Sequence, residues 1–210
     1  MVQNMSCKIY MDHAATTEML PQVRKAMEPY LMEEYGNAST SYEMGRRTRE
    51  ALEGAREQIA MLIKAKPEEI FFTSGGSESD NWVIKNVAAE KKEKGKHVIT
   101  SKIEHHAVLR SCEYLEKLGY ELTYLDVDAY GVIDLAQLRE VLREDTTLVS
   151  VMTGNNEIGT IEPLDAVASM LRGTGTLFRR VVSYGCSAGS RACGNRPDKA
   201  AGGFSVCLGT

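Results

Sequence analysis

The chain has little that would direct it to a membrane, to nucleic acid or to an oxidising compartment. No apolar run is long enough to cross a bilayer, and a net charge of −4 offers no basic surface for nucleic acid. The first ten residues lack the apolar core of a secretory signal. The five cysteines show no metal-ligand spacing. We therefore expect a cytoplasmic protein with free thiols, no resident metal, and neither a nucleic-acid nor a membrane partner.

What the sequence does contain is an alternation of two apolar patterns. Short β-rich runs predict strands, and apolar residues at a spacing of three and four predict helices. The predicted strands cover residues 70–73, 97–100, 122–125 and 147–152, and the predicted helices include 18–31, 42–64, 106–118, 135–142 and 164–171. This alternation predicts an α/β fold in three layers, a mostly parallel sheet with helices on both faces.

A glycine turn, Thr73-Ser74-Gly75-Gly76-Ser77-Glu78, joins the first predicted strand to a helix. At such a junction free backbone N–H groups and the helix dipole favour an anion, and glycines let a ligand approach the backbone closely. The Ser77 hydroxyl adds a possible donor. A phosphate is the natural ligand of this arrangement. The alternative is an ordinary tight turn in which Ser77 caps the helix.

Two further polar loops follow predicted strands and carry His105-His106 and Asn155-Asn156. Ligands of parallel sheets bind beyond the carboxyl ends of the strands, where these loops lie. An imidazole there can stack on an aromatic ligand or exchange protons, and an asparagine can bond a polar ring substituent. The alternatives are that a histidine caps the next helix or is half-buried, and that the asparagines form a turn.

Five motifs in this order resemble the cysteine desulfurases of the NifS/IscS type, which are class V, fold-type I enzymes dependent on pyridoxal 5′-phosphate. The motifs are Asp12-His13-Ala14-Ala15-Thr16-Thr17, Gly36-Asn37-Ala38-Ser39, the glycine turn, Glu104-His105-His106-Ala107-Val108 and Asn155-Asn156-Glu157-Ile158-Gly159. The resemblance covers residues 10 to about 178. It implies the large, cofactor-binding domain of the fold, here incomplete.

The resemblance also implies roles for single residues. Gly76 and Ser77 would hold the cofactor phosphate, His105 would stack on the pyridine ring and take part in proton transfer, and Asn156 would bond near the ring hydroxyl and the substrate. The implied reaction converts L-cysteine to L-alanine and passes the sulfur to iron–sulfur clusters or thiolated tRNA. The implied partners are L-cysteine, a sulfur-acceptor or scaffold protein, and a second copy in a homodimer.

The sequence departs from the family after Phe178. There the family continues with an aspartate for the pyridine nitrogen and a glutamine for the ring hydroxyl, whereas Arg179 and Arg180 follow here. Ser205-Val206-Cys207 stands near the expected Ser-x-His-Lys motif, whose lysine binds the cofactor covalently. We find no counterpart of the nucleophilic cysteine either. We therefore expect negligible desulfurase activity and no covalent attachment of the cofactor.

These departures divide the chain into an N-terminal segment, 1–17, a partial cofactor-binding domain, 18–178, and an aberrant, poorly ordered tail, 179–210. One hypothesis for the tail is a C-terminal truncation caused by a reading-frame shift near residues 171–179. A naturally disordered tail is the other. Two alternatives to a desulfurase are a non-catalytic remnant or interaction module that pairs with an intact homologue, and a protein similar to selenocysteine lyases.

Overall fold

A parallel β-sheet forms the centre of the structure, a computed structural model that describes residues 9–181 of the chain. Its four strands in this part of the chain are β1 (His97–Ser101), β2 (Glu121–Leu125), β3 (Thr146–Met152) and β4 (Leu177–Val181), in the spatial order β2-β1-β3-β4. In register, Val98 pairs with both Leu122 and Leu148, and Val149 pairs with Phe178. Every residue of β1 and β3 is buried, as the two central strands of a covered parallel sheet should be.

The described part of the chain contains six α-helices. They are α1 (Pro21–Met32), α2 (Glu43–Ile63), α3 (Gly76–Glu90), α4 (His106–Lys117), α5 (Leu135–Val141) and α6 (Leu164–Leu171), of which α3 to α6 pack on the sheet. Local chemistry sets several of their ends. Pro21 takes the first position of α1, where its missing N–H costs nothing. The Asp134 carboxylate begins α5 by accepting the N–H groups of Ala136 and Gln137, at 2.8 and 3.1 Å. None of the described helices is both long enough and apolar enough to span a bilayer.

Two hydrophobic cores lie on opposite faces of the sheet. On one face Val98, Leu148 and Met152 pack with side chains of α3 and α4, which include Ile84, Ala88, Val108, Cys112 and Leu115. On the other face Ile99, Val149 and Val151 pack with side chains of α5 and α6, which include Leu138, Leu164, Val167 and Leu171. Successive residues of β1 and β3 therefore serve different cores. This arrangement confirms the predicted three-layer α/β fold.

One predicted strand is absent from the structure, and one strand was not predicted. Residues 70–73, predicted as a buried strand, form no strand in the structure, and Phe71 and Phe72 are 65% and 45% exposed. A strand needs a neighbour for its backbone groups, and this segment pairs with no strand among the described residues. Conversely β4 was not predicted, because Arg179 and Arg180 break the apolar run. Its backbone nevertheless pairs with β3 from Leu148 to Met152. Residues 1–8 and the predicted tail beyond Val181 lie outside the described residues.

Helix α1 lies apart from both cores. In the described part of the chain it has no buried residue, although its sequence is amphipathic. The exposed apolar side chains of α1 and its surroundings are Leu20, Val23, Met27, Tyr30, Leu31 and Met32. Helix α2 buries only Gly45 and Ala60. The stable core of the described residues is therefore formed by the sheet and by helices α3 to α6.

Candidate functional site

The polar loops singled out in the sequence meet at one edge of the sheet. Strands β1 and β3 are adjacent and parallel, so the loop of His105 after β1 and the loop of Asn156 after β3 leave the same edge. Helix α3 ends a few residues before β1 begins, and the Tyr120 hydroxyl holds its last turn by donating to Ala88 O at 2.7 Å. Since α3 is about 22 Å long and packs on α4 and β3, its first turn reaches back to the edge where β1 ends.

The glycine turn at the start of α3 has open space beside Gly75. Gly75, the N-cap residue, has φ 158° and ψ 179°, a conformation that is essentially restricted to glycine. A Cβ placed there would meet no atom within 4 Å. The first helical hydrogen bond runs from Ser79 N to Gly75 O at 3.2 Å, so the N–H groups before Ser79 take no part in the helical ladder. Ser77 is the second residue of the helix, so it is not the N-cap, contrary to the alternative that Ser77 caps the helix.

The same turn already stabilises one negative charge. The Glu78 carboxylate accepts hydrogen bonds from Ser74 N at 2.6 Å and from Ser74 Oγ at 2.7 Å. The hydrogen bond from the Ser74 backbone, and to a smaller extent the one from its hydroxyl, lower the pKa of Glu78. Beneath the turn the hydroxyls of Thr73 and Ser79 lie 2.8 Å apart in a hydrogen bond that closes it. Because Ser74 is engaged by Glu78, a second anion would have to bind at the following amides.

His105 has a structural task that the sequence offered as an alternative. Its Nδ1 accepts a hydrogen bond from Ala107 N at 3.1 Å, which makes it the N-cap of α4. The neutral ring therefore carries its proton at Nε2. The ring is half-buried, whereas His106 beside it is exposed. Capping uses an atom in the plane of the ring and stacking uses its faces, so the two tasks are compatible.

In the third loop Asn155 forms the hydrogen bonds of a turn, and Asn156 follows it. Asn155 Oδ1 accepts from Glu157 N at 2.8 Å and from Ile158 N at 3.1 Å, which is the turn that the sequence offered as an alternative. Its Nδ2 donates to Ile103 O at 3.0 Å and so reaches the loop of His105. Asn156 follows it and is half-buried. The loops of Asn156 and His105 are thus joined by a hydrogen bond.

Three buried hydroxyls at this edge were missed by the sequence reasoning. Thr100 Oγ1, Ser101 Oγ and Thr153 Oγ1 are inaccessible and have no hydrogen-bond partner among the described residues. They lie at the end of β1 and just after β3. Buried polar atoms ordinarily have a partner, and an enclosed water is the usual one for hydroxyls that no protein atom meets. The available signal was the change from apolar to hydroxyl residues where each buried run ends.

Comparison with known proteins places this geometry among pyridoxal enzymes. The family model for aminotransferase class-V matches residues 9–179. The chain is 53% identical over 168 residues to cysteine desulfurase IscS of Dictyoglomus turgidum, an alignment that covers 80% of this chain and 43% of the relative. It is 49% identical over 164 residues to cysteine desulfurase IscS of Methanosarcina thermophila, covering 78% and 41%.

Solved structures give the same result. A NifS-like protein superposes with a TM-score of 0.81 at 38% identity, covering 83% of this chain and 48% of that protein. The apo cysteine desulfurase of Thermococcus onnurineus superposes with a TM-score of 0.74 at 28% identity, covering 83% and 44%. The chain therefore spans less than half the length of these relatives.

Proposed function

The chain belongs to the aminotransferase class-V family, whose members depend on pyridoxal 5′-phosphate, and from that premise we propose that it carries the cofactor-binding edge of a cysteine desulfurase. The observation that carries the proposal is the open glycine turn at the start of α3. The turn offers helix-start amides at the edge where His105 and Asn156 also lie.

The described residues fit this cofactor. Its phosphate would bind at the amides of Gly76 and Ser77 and at the Ser77 hydroxyl, where the helix dipole favours negative charge. A flat ring would lie against the face of His105, and its hydroxyl would be within the reach of Asn156.

The proposed reaction converts L-cysteine to L-alanine while an enzyme thiol takes up the sulfur as a persulfide. When bound, pyridoxal phosphate supplies an electron sink for bond cleavage in the amino acid. Toward that chemistry His105 holds a proton at Nε2 while its Nδ1 stays engaged in the cap. Cys112, the one cysteine within the described residues, is fully buried in the core under α4, which makes it unsuited to carry the persulfide.

Part of the proposal concerns what this polypeptide lacks. The lysine that would bind the cofactor covalently has no counterpart where the family motif would place it, because Ser205-Val206-Cys207 stands there. We therefore expect reversible cofactor binding together with negligible turnover of cysteine. An acceptor or scaffold protein, and a second copy of the chain, would be the partners of a complete enzyme.

The test is a titration of the purified 210-residue chain with pyridoxal 5′-phosphate, followed by absorbance and tryptophan fluorescence. Ser77→Asp puts a negative charge at the phosphate position and should abolish binding. Ser169→Asp, the same change at an exposed serine of α6, should leave binding unchanged. Equal binding by wild type and Ser77→Asp, or no binding by wild type, would overturn the proposal. Release of alanine and sulfide from cysteine would contradict only the expected inactivity.

A second candidate is a non-catalytic module that pairs with an intact homologue. The observation in its favour is the exposed apolar surface of α1, which packs on neither core of the described residues. Mixing the chain with the Dictyoglomus turgidum relative and measuring masses by light scattering tests this candidate. A mixed species that is lost in Val23→Lys/Met27→Lys would support it, and separate elution of the two proteins would exclude it.

A further inference from the structure

The loop after β3 is a closed hairpin. Asn155 N donates to Thr160 O at 2.8 Å, Gly159 N donates to Asn155 O at 2.9 Å, and Gly154 and Ile161 form an isolated antiparallel bridge. These bonds fix the stem of the hairpin. They do not fix its orientation toward the loop that follows β1, because all of them lie within the hairpin itself.

The Asn155 side chain adds contacts of two different kinds. Its Oδ1 accepts from Glu157 N and Ile158 N and so shapes the tip of the hairpin from inside. Its Nδ2 points the other way and donates to Ile103 O at 3.0 Å, a residue 52 positions earlier in the chain, with a longer contact to Met152 Sδ at 3.6 Å. A residue that only formed the turn would need the oxygen alone. The outward amide bond is therefore the feature that requires a separate explanation.

That bond ends next to the residues that the cofactor would contact. Ile103 lies two residues before His105, whose ring caps α4. On the other side Asn156 directly follows Asn155. One amide group thus connects the segment carrying the imidazole to the segment carrying the second asparagine, at the edge where β1 and β3 end.

We propose that Asn155 is a positioning residue, which holds Asn156 and the His105 loop in a fixed relation through its Nδ2 bond to Ile103 O. The inference rests on the proposed function for its purpose, the presentation of Asn156 and His105 to one ring. The asparagine itself does not touch the cofactor. Its two amide atoms have separable effects: Oδ1 shapes the tip, and Nδ2 joins the tip to the other loop.

Asn155→Asp separates these effects, because aspartate keeps the acceptor for Glu157 and Ile158 but has no donor for Ile103. Amide hydrogen exchange of the cofactor-free chain is measured for wild type, Asn155→Asp, Asn155→Ala and the charge-matched control Asn156→Asp. In Asn155→Asp we expect exchange at 102–107 to rise about fivefold, the effect of one lost hydrogen bond, with Glu157 and Ile158 still protected. In Asn155→Ala both segments should exchange faster, and in Asn156→Asp neither should.

Two results would overturn the inference. One is wild-type exchange at 102–107 in Asn155→Asp. The other is a uniform rise that includes β1 and β3, which would mean a loss of general stability. Asn155→Asp, which retains Asn156, should also bind pyridoxal 5′-phosphate more weakly than wild type in a titration. Wild-type affinity in this variant would count against the inference. If wild type itself binds no cofactor, the proposed function fails, whereas the exchange result still decides whether Asn155 joins the loops.

Discussion

Substitution of His105 by asparagine separates the two tasks assigned to this side chain. Asparagine is as good an N-cap as any residue, so its side chain can replace Nδ1 as the acceptor for Ala107 N. Alanine cannot. We expect His105→Ala to lose about 1 kcal/mol of unfolding free energy, the usual value of a cap, and a domain of this size then melts about 2–4 °C lower. His105→Asn should melt close to wild type.

In binding of pyridoxal 5′-phosphate, His105→Asn should behave like His105→Ala and not like wild type. Both variants lose the ring, and an aromatic stacking contact contributes about 0.5–1.5 kcal/mol, so both should bind the cofactor about 2- to 12-fold more weakly. Thermal melts without cofactor and fluorescence titrations with it give the two readings. If His105→Asn melts as low as His105→Ala, the cap assignment is wrong. If His105→Asn binds as tightly as wild type, the ring does not contact the cofactor.

Three further changes test the structure around the site. Gly75→Ala should cost about 1–3 kcal/mol in urea denaturation through its backbone conformation alone, since a Cβ there has open space. Burial, and to a smaller extent the charge of Arg143, lowers the pKa of His97 from its ordinary value of 6.5. The unfolded chain therefore takes up a proton at a pH where the folded chain does not. The free energy of unfolding should consequently fall as the pH drops from about 7 to about 5, and it should fall less in His97→Gln. Burial raises the pKa of Glu162, so the folded chain holds a proton that the unfolded chain releases, and the free energy of unfolding falls as the pH rises. The free energy of unfolding of Glu162→Gln, relative to that of wild type, should therefore increase from about pH 4 to about pH 7. Equal pH slopes in wild type and variant would contradict either assignment.

The sheet could be predicted wherever the side chains alone decide the structure. The pairs Val98-Ile99, Leu148-Val149 and Val151-Met152 are apolar on both sides of their strands, and only a strand between two helical layers buries both sides. Asp134 likewise marked the start of a helix by itself. Strand β4 escaped prediction, because its apolar run is only Leu177-Phe178 and the strand continues through Arg179 and Arg180 by backbone pairing with β3. Phe71 and Phe72 led to the prediction of a strand that is absent, since apolar residues predict burial whether or not a neighbouring strand is present.

The candidate site was predictable as a set of residues but not as a set of contacts. The glycine turn, His105 and Asn156 could be named from motifs. The partner of Asn155, a carbonyl oxygen at Ile103, could not, because any residue supplies a carbonyl and only the sheet order brings this one close. The cap at Ala107 had been offered as an alternative to ring stacking. The geometry makes the two compatible, because they use different parts of one imidazole.

The pairing of β1 with β3, which are not consecutive in the chain, has a consequence for synthesis on the ribosome. Ile103 and Asn155 are 52 residues apart, which corresponds to about 3–10 s of translation at ordinary rates. For that interval the nascent chain presents β1, β2 and their apolar faces before β3 has been made. The His105 loop consequently spends those seconds without its partner loop, and the cofactor edge is completed only after β3 and the loop that follows it have been made.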